Sequence, residues 1–158
     1  MTRTTYAVIV LAAVAGLTGT ACSNSGSTTT STTTESATAS ASAVDKGQLP
    51  SLIPTLANTQ VTKGPDDIAD NGIHLHFQVP GSPADVMNAF KTALAGQKWD
   101  LTTIVSSGGS DGGGATYTGN NGAAYGVFDG GGYKDTTYID VCAWPSKPAD
   151  PNCTRGGR

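Results

Sequence analysis

One segment of the chain alternates strictly between apolar and polar residues, from Ile73 to Val79. Every second side chain of a strand points to the same side of a sheet. The pattern therefore predicts a strand with one apolar face towards a core and one polar face that carries His74, His76 and Gln78.

A helix is predicted directly after this strand. Ser82 can cap its first turn, Pro83 suits the first helical position, and Asp85 lies near the positive end of the helix. Apolar residues then recur at helical spacing until Gly96-Gln97 ends the pattern. The stripe comprises Val86, Met87, Phe90, Ala93 and Leu94.

Four strand-like segments follow the helix, at 99–105, 115–118, 123–128 and 136–143. Gly119-Asn120-Asn121-Gly122 is typical of a tight hairpin. The glycine-rich stretches 106–114 and 130–132 are interpreted as connections, and Gly64-Pro65-Asp66-Asp67 as a turn. The order β-α-β-β-β-β predicts an α+β domain: one helix packed on a twisted, mainly antiparallel sheet of four to five strands.

The start of the chain has a different pattern. Met1-Thr2-Arg3 is followed by an apolar run from Tyr6 to Leu17 and by small residues before Cys22. This is the three-part layout of a secretory signal peptide. The run of 12 residues is shorter than the roughly 20 that a membrane-spanning helix needs. We predict an export signal over residues 1–21.

Gly19-Thr20-Ala21 followed by Cys22 resembles the lipobox of bacterial lipoproteins. In that family the cysteine is diacylated on its sulfur and becomes the mature N-terminus, so the resemblance implies lipidation of Cys22. Gly19 departs from the pattern, because the family usually has Leu or another aliphatic residue there. Ordinary cleavage after Ala21, which would give a soluble secreted protein, is the alternative.

A polar spacer separates this signal from the predicted domain. Residues 23–43 contain seven Ser and seven Thr among 21 positions and no large apolar residue, so they cannot offset the entropy cost of ordering. The chain is therefore divided into a signal peptide (1–21), a lipidated Cys with a Ser/Thr-rich disordered linker (22–47), a small α+β domain (48–144) and a Pro-rich tail (145–158).

The threonine cluster and the alternating Ala, Thr and Ser after it resemble the linker of mycobacterial and related actinobacterial surface lipoproteins. That linker is often O-mannosylated, which implies a set of candidate O-glycosylation sites; an unmodified linker is the alternative. These sites are Thr28, Thr29, Thr30, Thr32, Thr33 and Thr34. A helix with Phe90 and Leu94, followed by Trp99, is also similar to small extracytoplasmic lipoprotein domains of actinobacteria, which implies a fold rather than a reaction.

Charge and cysteine content narrow the function further. The formal charge is −3 and only 13% of residues are charged, which argues against a nucleic-acid partner. With Cys22 assigned to a lipid, Cys142 and Cys153 remain as an even pair in an exported protein. We predict a disulfide that ties the tail to the sheet, in preference to a redox-active pair.

Few residues can carry chemistry. His74 and His76 share one face and could ligate zinc or copper with a third ligand such as Asp140 or Asp100, although a solvated sheet face is the favoured interpretation. Gly108-Gly109-Ser110-Asp111-Gly112 matches the G-x-S-x-G pattern of hydrolases but lies in a glycine-rich loop, which favours a chance match. No cofactor is predicted.

The tyrosines suggest a binding surface. One helix covers one side of a sheet only, so some aromatic residues must face outward, where they could stack on sugar rings or partner side chains. The candidates are Tyr117, Tyr125 and Tyr138. The alternative is a second, minor cluster under the N-terminal segment.

The sequence as a whole predicts a non-catalytic binding domain. It would be held at the extracytoplasmic face of the cell membrane by acyl chains and would bind an unknown envelope protein or glycan. The alternatives are a carrier that holds a small amphiphile between helix and sheet, in a cavity lined by Phe77, Val86, Phe90 and Leu94, and a secreted hydrolase that uses Ser110.

Overall fold

The computed structural model describes residues 43–108 and 112–155. They form an α+β domain with one main helix and a six-stranded, fully antiparallel open sheet. The strands are β1 (Val61–Ile68), β2 (Gly72–Pro80), β3 (Asp100–Gly108), β4 (Gly112–Asn121), β5 (Ala124–Tyr133) and β6 (Thr136–Trp144). Helix α1 (Pro83–Gly96) connects β2 to β3, and a 3-10 helix (Lys46–Leu52) precedes β1.

The spatial order of the strands is β1-β2-β6-β5-β4-β3. Strands β3 to β6 form the predicted meander, and β2 pairs with the last of them through Phe77 and Ile139. The strand predicted from Ile73 to Val79, with one apolar and one polar face, therefore lies next to β6, and this pairing brings polar residues of the two strands together.

The sheet has one strand more than the sequence predicted. The segment interpreted as a turn, Gly64-Pro65-Asp66-Asp67, lies inside β1, where a bulge between Lys63 and Asp66 interrupts the pairing with β2. β1 is an edge strand, so its backbone needs hydrogen-bond partners on one side only, and a bulge at an edge accommodates proline.

The glycine stretches interpreted as connections are also strand rather than loop. Residues 106–108 belong to β3, 112–114 to β4 and 130–132 to β5. A Cβ added at Gly132 would lie 1.9 Å from the carbonyl oxygen of Thr136. Close approach of neighbouring backbones, which only glycine allows here, therefore outweighs the weak strand propensity of these residues.

Helix α1 agrees with its prediction. The hydroxyl of Ser82 accepts a hydrogen bond from the amide of Asp85 at 3.3 Å, and the helix packs on β3, β4 and β5. Phe90 and Leu94 are fully buried between helix and sheet. Within the described ranges, neither helical segment has the length and hydrophobicity needed to span a bilayer.

Aromatic rings fill the space between helix and sheet. Phe90 contacts Phe77 and Phe128 edge to face, with ring centroids 6.3 and 6.1 Å apart, and Trp99 meets Phe128 at 5.0 Å. The Trp99 indole N–H donates to the carbonyl of Leu52, at the end of the 3-10 helix, at 2.8 Å. Side chains therefore occupy the position in which an amphiphile carrier would need a cavity.

Candidate binding site on the outer face of the sheet

The face of the sheet opposite α1, here called the outer face, is partly covered by the C-terminal tail. Cys142 on β6 and Cys153 in the tail lie at disulfide-bonding distance, with 2.07 Å between their sulfur atoms. Beneath the tail, Tyr125 packs against Trp144, and the Trp144 indole N–H donates to the carbonyl of Ala69 at 3.0 Å. The predicted disulfide thus holds the tail over a small second cluster.

A row of polar residues crosses the outer face beside this cluster. The strand register places His76 of β2 opposite Asp140 of β6, Asp140 opposite Asp129 of β5, and Asp129 opposite Thr116 of β4. Asp140 is only 1% exposed, and His76 is also buried. We call these four residues, with His74 and Arg155, the polar network.

Asp140 binds both histidines through one carboxylate oxygen. His74 Nε2 lies 3.1 Å and His76 Nδ1 lies 2.9 Å from Asp140 Oδ1. Because a carboxylate oxygen accepts, His74 donates to Asp140 through Nε2–H and His76 donates through Nδ1–H. The His76 ring also stacks on Tyr138, with centroids 6.0 Å apart.

Arg155 brings the tail into the network. Its guanidinium donates twice to Asp129, through Nε to Oδ2 and through a terminal nitrogen to Oδ1 at 3.0 Å, and Thr116 donates to the same Oδ1 at 2.7 Å. Bidentate, charge-assisted pairing of this kind is both strong and directional. The hydrogen bonds that Arg155 donates to Asp129 raise the pKa of the guanidinium above its ordinary value, although partial burial opposes the shift.

Two clefts open beside the polar network, and Arg155 lines both. The first has a volume of about 350 Å³ and lies along the tail, bordered by His74, Trp144, Asp150 and Asn152. The second has about 300 Å³ and lies over the glycine-rich ends of β4 and β5, bordered by Thr116 and Asp129. The arrangement offers hydrogen-bond donors and acceptors to a ligand from fixed positions.

The three candidate tyrosines lie in different surroundings. Tyr117 is buried on the helix side, where its hydroxyl donates to the carbonyl of Met87 at 3.3 Å and burial raises its pKa. Tyr117 is therefore a core residue rather than part of an outer surface. Tyr125 is buried in the second cluster, which lies under the C-terminal tail rather than the N-terminal segment. Tyr138 is half-buried on the outer face beside His76.

The structure brings Asp140, not Asp100, to the two histidines. Asp100 begins β3, and three strands separate β3 from the histidines on β2. Over residues 43–108 and 112–155, no three His, Cys, Asp or Glu side chains are grouped so that they could hold a metal ion. Ser110, Cys22 and the six threonines of the linker lie outside the described residues.

Sequence reasoning named His74, His76 and Asp140 but did not place Thr116, Asp129 and Arg155 in the site. Asp140 was offered only beside Asp100, and its place in the apolar segment Tyr138-Ile139-Asp140-Val141-Cys142 was the signal that could have singled it out. Asp129 follows the predicted strand 123–128 directly, and extending that strand would have placed it on a sheet face. Nothing in the sequence connects Arg155 with Asp129, because tail position depends on tertiary structure.

Comparison of the chain with models of protein families, with curated proteins and with solved structures found no match.

Proposed function

We propose that this protein is a lipid-anchored protein of the cell envelope whose α+β domain binds a ligand on its outer face without catalysing a reaction. The observation that carries the proposal is the polar network, in which a carboxylate that is 1% exposed binds two histidines beside a second carboxylate bound by Arg155.

A network of this kind is costly in the middle of a sheet. Charged groups lose hydration when they are buried, and well-packed apolar side chains at such positions are often equally stabilising or more so. Asp140 and Asp129 are central in the sheet, on neighbouring strands with partners on both sides. Polar groups fixed next to open clefts are instead suited to orienting a ligand.

The histidines favour binding over turnover. Each uses a ring nitrogen on the same oxygen of Asp140, so the carboxylate holds two imidazoles in place and does not orient a single base. A fixed polar surface is the role that these contacts support best.

The envelope location is supported by the leader, by Cys22 and by the spacer. Two or more acyl chains would add about 0.8 kcal/mol per buried methylene, which makes attachment effectively permanent. If the Ser/Thr-rich spacer of about 25 residues behaves as its composition predicts, it would place the domain about 25–30 Å from its anchor on average. The domain would then be free to contact material beyond the lipid headgroups.

The anchor is tested by the mass of the mature N-terminus. We expect a chain that begins at residue 22 and carries acyl chains, and we expect Cys22→Ala to release the protein from the membrane. A free thiol at residue 22 in protein recovered from the culture medium would overturn the anchor.

Binding is tested with the mature full chain immobilised and exposed to solubilised envelope material. We expect retained material, and we expect Arg155→Gln to reduce retention about tenfold, the effect of losing one strong polar contact. The matched control is Lys46→Gln, which removes another ion-paired cation. Lys46 Nζ lies 2.7 Å from Asp67 Oδ1, away from the polar network. Equal retention by the wild type and Arg155→Gln would contradict a site at the polar network.

A further inference from the structure

The cleft over β4 and β5, here called the glycine trough, has a floor made of backbone. Gly114 and Gly131 are directly opposite each other on the outer face. A Cβ added at Gly114 would lie 2.2 Å from the carbonyl oxygen of Gly130, and one at Gly131 would lie 2.9 Å from that of Gly113. Close backbone packing thus excludes side chains, so a flat ligand can approach the peptide groups directly.

The wall of the glycine trough is polar and its charges offset each other. Its polar side chains are Thr116, Asp129 and Arg155, together with Ser107 of β3, and Val105 of β3 is an apolar neighbour in the same lining. Asp129 supplies an acceptor, Arg155 supplies donors, and the hydroxyls of Thr116 and Ser107 can do both. An anionic ligand would meet the Asp129 carboxylate and a cationic one would meet the Arg155 guanidinium, so this wall suits a neutral ligand rich in hydroxyl groups.

Aromatic rings stand beside the same floor. Tyr138 of β6 is paired with Gly131 of β5. Tyr133 follows Gly131 by two residues on β5, so it lies on the same face, and it is paired with Gly112 of β4. Tyr133 is 61% exposed, with Lys134 Nζ 5.3 Å from its ring centroid. A tyrosine ring is apolar on its faces and polar at its rim, so it can stack on the C–H side of a sugar. The hydroxyl groups of that sugar would then contact the wall of the trough.

We infer that the glycine trough is a subsite for a neutral sugar unit of an envelope polysaccharide. The inference rests on the proposed function and names the class of its ligand. The trough is open rather than enclosed, with a volume of about 300 Å³, so an internal unit of a long chain can enter from the side.

The test uses the mature full chain in affinity gel electrophoresis with defined polymers. The probes are the neutral polysaccharides dextran, mannan and galactan, and the anionic polygalacturonate. We expect at least one neutral polymer to retard the protein and polygalacturonate to retard it less. Tyr133→Ala should weaken the interaction about tenfold, as the loss of a stacking contact does, and Tyr133→Phe should recover most of that loss.

A second pair of variants probes the wall. Asp129→Asn removes a trough carboxylate, and Asp67→Asn removes one that is exposed on β1. We expect only the first to weaken retardation, by about tenfold. Because Tyr133 is exposed, its variants remain informative even if Asp129→Asn fails to fold, which a thermal melt would reveal.

Several results would overturn the carbohydrate assignment. The assignment is wrong if none of the three neutral polymers retards the protein, or if wild type and Tyr133→Ala are retarded equally. It is also wrong if polygalacturonate retards the protein more strongly than the neutral polymers do. If envelope material is still retained in an Arg155-dependent manner, the proposed binding function stands and only the ligand class fails. If protease treatment of that material abolishes retention, the ligand is a protein instead.

Discussion

The inner face of the sheet buries Phe77, Phe128 and Ile139 under α1, whereas the outer face of the same strands carries His76, Asp129 and Asp140. Both faces come from one alternating backbone, since neighbouring residues of a strand point to opposite sides. The helix covers the inner face, and a short tail held by one disulfide covers part of the outer face.

The apolar core lies on the inner face, and the residues of the proposed binding site lie on the outer face. Buried apolar area on the inner face supplies most of the favourable free energy of folding. The outer face can then hold buried polar groups whose net contribution is small or unfavourable. Truncation of the inner core should therefore lower stability, whereas a variant at an exposed outer-face residue such as Tyr133 should change binding with little effect on stability.

The largest effect is expected from Phe90→Ala. Phe90 is fully buried and contacts two aromatic rings. Truncation therefore leaves a cavity and should lower the free energy of unfolding by about 3–5 kcal/mol. Urea titration measures this value. Tyr133→Ala on the outer face is the control and should change stability by less than about 0.5 kcal/mol. Similar losses in both variants would break the distinction between the faces.

A smaller loss is expected from Asp140→Ala. The substitution leaves His74 and His76 without their common acceptor, which should cost about 2–4 kcal/mol. The matched control is Asp67→Ala, which removes a carboxylate that is 83% exposed and should cost less than about 1 kcal/mol. The same urea titration, together with the envelope-retention assay, measures both variants.

The Asp140→Ala variant also tests whether the outer face binds a ligand. Asp140→Ala should lose retention even at temperatures where it remains folded, because the imidazoles are no longer held. Unchanged retention in a folded Asp140→Ala protein would show that the histidines and Asp140 serve stability alone.

The smallest effect concerns Tyr117 at alkaline pH. Burial raises its pKa above the ordinary value of about 10, so the folded state favours the neutral phenol. The unfolded chain ionises first, and the contribution of Tyr117 is therefore complete below pH 10 and is lost as the pH rises above it. Tyr117→Phe should cost about 1 kcal/mol at pH 7, because it removes the hydrogen bond to Met87.

Above pH 10 the difference between wild type and Tyr117→Phe should become smaller, since phenylalanine cannot ionise. Urea titrations at pH 7, 10 and 11 measure the change, with Tyr133→Phe as the control at an exposed tyrosine. Stability curves that stay parallel to pH 11 would contradict the burial of Tyr117 on the inner face.

Local sequence determined the elements that depend on neighbouring residues. The alternation from Ile73 to Val79 specified β2 and both of its faces, and the Ser82 cap with the Val86–Leu94 stripe specified α1, because each pattern follows the period of its own backbone. The pairing of Cys142 with Cys153 was predicted by counting cysteines on the expectation that the chain is exported and that Cys22 is lipidated.

Tertiary structure decided which strands are neighbours and therefore which polar residues meet. His76 and Asp140 are 64 positions apart in the chain, and Asp129 and Arg155 are 26 apart, so no local pattern connects them. The glycine strands and the bulged β1 were likewise decided by backbone pairing across the sheet, which outweighs local propensity. The proposed binding site depends on the pairing of β2 with β6 and on the Cys142–Cys153 disulfide, which returns the tail to the sheet.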